Sequence, residues 1–114
     1  MINILCFGDS NTWGYDPETQ TRFSKKIRWT GVLQQLLGTN FNVIEEGLNG
    51  RTTNVNEKEE HDLGYFRAYR SAMDLLSILI ETNSPLDLIV VMLGTNDLKT
   101  NFNQSPQILS LIHI

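Results

Sequence analysis

The sequence predicts an α/β layered domain on a parallel sheet, and three observations carry that expectation. Short apolar runs at residues 2–7, 41–44 and 86–93 read as buried strands. Stretches with helical apolar spacing at 29–37 and 65–80 separate them, and Gly-, Asn- or Thr-containing sequence follows the strands. The order β-α-β-α-β-α then implies right-handed crossovers between parallel strands.

Taken in order, residues 2–7 are rich in Ile, Leu and Phe and close on Gly8. Residues 10–28 are polar and aromatic, with Pro17 interrupting any long helix, so a short helical turn after Ser10 and then a loop are expected. Apolar residues at 29, 32, 33, 36 and 37 predict a helix over 29–37, with Gly38 as its stop. Residues 41–44 form the second strand, 47–56 a loop and 57–62 a charged cluster. Apolar positions at 65, 66, 69, 72, 73, 76, 79 and 80 predict a second amphipathic helix, ended by Asn83-Ser84-Pro85. The third strand, 86–93, has no visible neighbour on one side and is an exposed edge by expectation. Ser105-Pro106 is placed to open a final helix.

Length and composition narrow the class. The 114 residues suit one small domain, 40% hydrophobic and 19% charged, hence globular. Nine Lys+Arg against 13 Asp+Glu give a formal charge of −4. With no basic run, a nucleic-acid surface is not expected. Cys6 is the single cysteine and reads as a buried, inert thiol, leaving no internal disulfide or CxxC metal spacing. No apolar segment reaches membrane-spanning length, and no basic segment precedes the first apolar run, so a cytoplasmic protein without membrane contact is expected.

In an open parallel sheet, ligands gather outside the carboxyl ends of the strands. The first strand ends in Gly8-Asp9-Ser10-Asn11 and the third in Gly94-Thr95-Asn96-Asp97. If these strands lie side by side, a hydroxyl and a side-chain amide meet at one edge, which is half of an acyl-transfer site. Ser10 exposes its hydroxyl at a helical turn, its own N–H points where an oxyanion would form, and Asp9 can brace the turn. Taken alone, Gly-Asp-Ser is more often a helix cap. Gly50, in Gly47-Leu48-Asn49-Gly50-Arg51-Thr52-Thr53, could add a second N–H donor; by itself the stretch is an ordinary βα turn with Thr52 or Thr53 as cap. Asn96 is a neutral donor that needs no particular protonation state, or else an Asx-turn residue.

Together the three blocks resemble those of the SGNH hydrolases, the GDSL lipase/esterase superfamily. Phe7-Gly8-Asp9-Ser10 is similar to the first block, Gly50 to the second-block glycine and Gly94-Thr95-Asn96-Asp97 to the third. The stretches 6–14, 28–33, 44–53 and 91–97 resemble the arylesterase and acetylxylan-esterase branch, and the likeness runs to about Gln107. The resemblance implies a flavodoxin-like three-layer fold, of which about the first three strands are present. It implies a serine esterase that hydrolyses or transfers short acyl groups, without metal or cofactor, acting on a small ester. Ser10 is then the nucleophile, and the Ser10 and Gly50 N–H groups with the Asn96 amide form the oxyanion hole. Asp9, Trp13, Arg51 and Asp97 are supporting or pocket residues by the same likeness; Trp29, on an apolar helix face, reads as core. The branch commonly assembles as homo-oligomers.

The family's base is a histidine in an Asp-x-x-His block, and this sequence has no such block. Lys58 stands three residues before His61 and Ser110 three before His113. His61, in a charged stretch, reads as solvated loop. The expectation is a chain truncated before its catalytic Asp and His, with 1–108 the first part of one domain and weak activity by itself. Residues 109–114 correspond to the translated end of a transposon-based sequencing adapter and are expected to be a read-through tail, or otherwise an ordinary helix end. The alternative functions are a non-catalytic α/β binding or partner subunit that keeps the serine turn for structure, and a nucleotide module, disfavoured by the absence of GxGxxG and GxxxxGK[ST]. A lipase, thioesterase or polysaccharide deacetylase fits the same blocks.

Overall fold

A computed structural model of the chain describes residues 1–54 and 70–98. Its elements are β1 (Ile2–Gly8), α1 (Ser10–Trp13), β2 (Tyr15–Asp16), β3 (Thr21–Arg22), α2 (Trp29–Leu37), β4 (Phe41–Gly47), α3 (Ala72–Asn83) and β5 (Leu88–Met92), then a 3₁₀ turn at Thr95–Leu98. The main sheet has the order β4-β1-β5, parallel throughout. This is the α/β, flavodoxin-like arrangement expected from the alternation of elements. Buried on both faces, β1 supplies the core through Ile4, Leu5, Cys6 and Phe7. That explains its unbroken apolar run.

The two outer strands are managed differently. On β4, Gln34 of α2 accepts from the Val43 N–H at 2.8 Å and donates to the Phe41 carbonyl at 2.8 Å, covering part of the free edge. On β5, Leu88, Val91 and Met92 are exposed, and among the described residues the strand pairs with β1 alone.

Several boundaries differ from the sequence expectation. β4 continues past Ile44 to Gly47, because Arg28 and Thr30 compensate Glu45 within the strand. The second amphipathic helix starts at Ala72 and runs to Asn83. Ser71 is extended and bridges Thr52, so the helix cannot begin earlier through that point. The loop after Ser10 contains a small antiparallel ladder, β2–β3. Asp16 closes it by accepting from the Glu18 N–H and the Thr19 hydroxyl. Trp29 is half-buried rather than fully enclosed, and its indole N–H donates to the Thr12 hydroxyl at 3.3 Å. Burial, with Glu45 adding to it, pushes the Cys6 thiol up, disfavouring the reactive thiolate. The start of the 65–80 helix, His61, the 105–106 helix start, His113 and the 109–114 tail lie outside the described residues. No helix among the described residues is long and apolar enough to cross a membrane.

Candidate active site

The carboxyl ends of β1, β4 and β5 lie level. Gly8 is in register with Gly47 on one side and with Met92 on the other. The three segments that follow therefore share one edge of the sheet: Asp9-Ser10, 48–53 and 94–98.

Ser10 opens α1. Asp9 caps that turn, its carboxylate accepting from the Asn11 N–H at 2.9 Å while its carbonyl accepts from Thr12 and Trp13. Gly14, at φ 93°, ends the turn through a bond from its N–H to the Ser10 carbonyl. The Ser10 residue is half-buried, and its hydroxyl has no hydrogen-bond partner among the described residues. The turn sits directly on β4, since a Cβ on Gly47 would lie 2.2 Å from the Trp13 nitrogen. Glycine is needed there for close approach.

The second segment follows β4. Gly50 is buried at φ 81°, a conformation that favours glycine. Beside it, Arg51 is only 4% exposed. Its guanidinium donates to the carbonyls of Gly8 (3.2 Å) and Glu46 and lies 4.1 Å over the Phe7 ring. Burial pushes its pKa down to about 10, against the opposing pull of Glu46, so it stays a cation at neutral pH. Arg51 is thus a strut beneath the site and lines no part of the cleft. Its Nε and the Asn49 Oδ1, both buried, have no hydrogen-bond partner among the described residues.

The third segment follows β5. Asn96 donates its side-chain amide to the Arg51 carbonyl at 3.0 Å. Asp97, fully buried, accepts from the Thr53 N–H at 3.0 and 3.1 Å and from the Thr53 hydroxyl at 2.7 Å. Thr53 therefore gives both its N–H and its hydroxyl proton to Asp97. The same loop is held by the segment leading into α3, through Thr52 N–H to Arg70 carbonyl and Ala72 N–H to Thr52 carbonyl, each 2.9 Å.

An open cleft of about 240 Å³ adjoins the first and third of these segments; Asp9, Asn11, Val91, Met92, Leu93 and Thr95 line it, and Ser10, Gly50 and Asn96 do not. The sequence reading passed over Asn11 and Thr95; their place directly after the first strand's serine and inside the third block was the available signal. Trp13 stands to one side, its carbonyl accepting from the Arg22 Nε at 2.7 Å and its ring 5.0 Å from that guanidinium. Behind the loop, Glu45 is held by Arg28 (2.9 and 3.1 Å) and Thr30 (2.6 Å), and the Arg28 hydrogen bond leads in lowering its pKa to about 2. Among the described residues no group of three or more His, Cys, Asp or Glu could hold a metal ion.

The model of the GDSL-like lipase/acylhydrolase family matches residues 6–114. No curated protein matches the chain. Among solved structures, the native aryl esterase of M. smegmatis is 43% identical with a TM-score of 0.82, over 97% of this chain and 50% of that one. A carbohydrate acetylesterase family member from Sinorhizobium meliloti is 44% identical, TM-score 0.78, over 90% of this chain and 45% of that one. The carbohydrate acetylesterase Est24 from the same organism is 36% identical, TM-score 0.80, over 96% and 50%. The chain thus spans about half the length of the structures it matches. With a match running over nearly all of its residues, the chain belongs to the GDSL-like lipase/acylhydrolase family.

Proposed function

We propose that this chain carries the nucleophile and oxyanion-binding half of a serine esterase acting on short acyl esters. The observation that carries the reading is the Asn96–Arg51 bond. It ties the loop after β5 to the loop after β4, across the end of the strand that leads to Ser10. An amide nitrogen has two hydrogens. One is engaged by Arg51, leaving the other for a substrate oxygen beside the Ser10 and Gly50 N–H groups.

In the proposed reaction the Ser10 oxygen attacks the ester carbonyl carbon and its proton passes to a base. The carbonyl oxygen takes up negative charge between the three donors, the alkoxide or phenolate leaves, and an acyl-Ser10 ester remains. Water, or another hydroxyl acceptor, then releases the acyl group. The similarity to an aryl esterase and to carbohydrate acetylesterases supports acetyl-sized acyl groups. The 114 residues contain no Asp-x-x-His. Together with the half-length coverage of the matched structures, this supports a base that is not among these 114 residues, and weak turnover by the chain alone.

The test is covalent trapping. With p-nitrophenyl acetate, whose leaving group needs no acid, and imidazole as external base, mass spectrometry should find one acetyl group on Ser10, absent from Ser10→Ala. No acetyl on Ser10 under these conditions would favour a subunit that keeps the serine turn only for structure.

A further inference from the structure

We propose that Asp97 is a positioning residue, which through Thr53 sets the place and plane of the Asn96 carboxamide; the inference rests on the esterase reading for its functional consequence but not for its geometry. Asn96 and Asp97 are neighbours on the 3₁₀ turn after β5. Both side chains end on the same three residues of the β4 loop, Asn96 on Arg51 and Asp97 on Thr53. Asp97 forms no ion pair among the described residues, and its three side-chain contacts all go to Thr53.

That use of a carboxylate is costly unless its geometry matters. A buried carboxylate must be compensated by hydrogen bonds, and a neutral side chain would close a loop more cheaply. What a carboxylate adds is a set of short, charge-assisted bonds that take both the N–H and the O–H of one threonine. The turn is therefore fixed against the loop that carries Gly50. An oxyanion donor must stand about 2.7–3.1 Å from the developing charge. One bond to Arg51 leaves the Asn96 amide free to swing about that contact; the adjacent Asp97–Thr53 bond removes that freedom. Thr53, 44 positions away in sequence, becomes part of the site without touching substrate.

The experiment compares Asp97→Asn, Thr53→Val, Thr53→Ser and Asn96→Ala in the 114-residue chain. Side-chain amide NMR of Asn96 is read beside the saturation kinetics of Ser10 acetylation by p-nitrophenyl acetate with imidazole. Amide-exchange protection of Leu5, Cys6 and Phe7 reports whether β1 stays folded. Asp97→Asn and Thr53→Val should shift the Asn96 Nδ2 signals and lower the maximal acetylation rate about tenfold, with half-saturation little changed. Thr53→Ser, which keeps the hydroxyl, should restore both. If Asp97→Asn fails to fold, Thr53→Val against Thr53→Ser decides alone. Unchanged Asn96 signals in Thr53→Val, or equal losses in Thr53→Val and Thr53→Ser, would overturn the proposal. Failure of the esterase reading looks different: Asn96→Ala would acetylate at the wild-type rate, while the NMR comparison still decides the Asp97 contact.

Discussion

Asn96 and Arg51 are joined by a 3.0 Å bond from side-chain amide to main-chain carbonyl. In a sheet ordered β4-β1-β5, that bond spans the carboxyl end of the middle strand. The guanidinium of the same arginine grips the Gly8 carbonyl from below. Three strand ends are thereby fastened to one residue, which follows β4 in the chain.

Arg51 should not tolerate lysine. An ammonium is a compact donor without the planar fork, and it would have to leave the Phe7 ring or one of the carbonyls. We expect Arg51→Lys to destabilise the chain by about 2 kcal/mol. Urea denaturation checks this, and the Ser10 turn should show the largest amide shift changes outside the mutated loop.

Gly47→Ala tests the seat of the nucleophile. The added methyl would meet backbone atoms of Thr12 and Trp13, which cannot rotate aside. Overpacking of this kind costs about 1–3 kcal/mol. The variant should unfold at lower temperature in calorimetry and acetylate Ser10 more slowly, whereas Gly38→Ala, with open space around it, should lose stability only through its positive φ.

The pair Arg28–Glu45 sets an acid limit. Glu45 has a folded-state pKa of about 2, below the ordinary carboxylate value, so it contributes stability above about pH 4.5. That contribution is lost as pH falls towards 2, and amounts to on the order of 3 kcal/mol. Glu45→Gln should lower neutral-pH stability by a similar amount and flatten the fall in stability between pH 4.5 and 2, followed by urea titrations across that range.

The strands and the edge they share were legible in the sequence because they depend on local signals. The apolar run of β1 is unbroken since both its faces are covered, and each strand stops near a glycine that lets the chain turn. The links that make a site of that edge were not legible. Asp97 with Thr53 and Arg28 with Glu45 are polar contacts between distant positions, and no periodicity marks them. Charge inside a strand is likewise illegible locally: β4 runs on from Ile44 through Glu45 and Glu46 because Arg28 and Thr30 neutralise Glu45 in place. Ser71 also lies within the stretch of helical apolar spacing, between positions 69 and 72, yet its bridge to Thr52 holds it extended.

Turnover should separate binding from complete catalysis. Serine hydrolases that lose the base fall about 10⁶-fold in kcat and keep only what the oxyanion hole and binding provide. The chain by itself should therefore hydrolyse p-nitrophenyl acetate barely above background in a stopped assay at pH 7. A robust rate abolished by Ser10→Ala would show that a base is already present, with His61 the first residue to replace.

The most direct measurement is a crystal structure of the chain with Ser10 phosphonylated by a fluorophosphonate in the presence of imidazole as external base, the phosphoryl oxygen standing in for the oxyanion. The account predicts that this oxygen lies about 2.7–3.1 Å from the Ser10 nitrogen, the Gly50 nitrogen and the Asn96 Nδ2 together. A phosphonyl oxygen turned to solvent, with Asn96 out of hydrogen-bond reach, would contradict it.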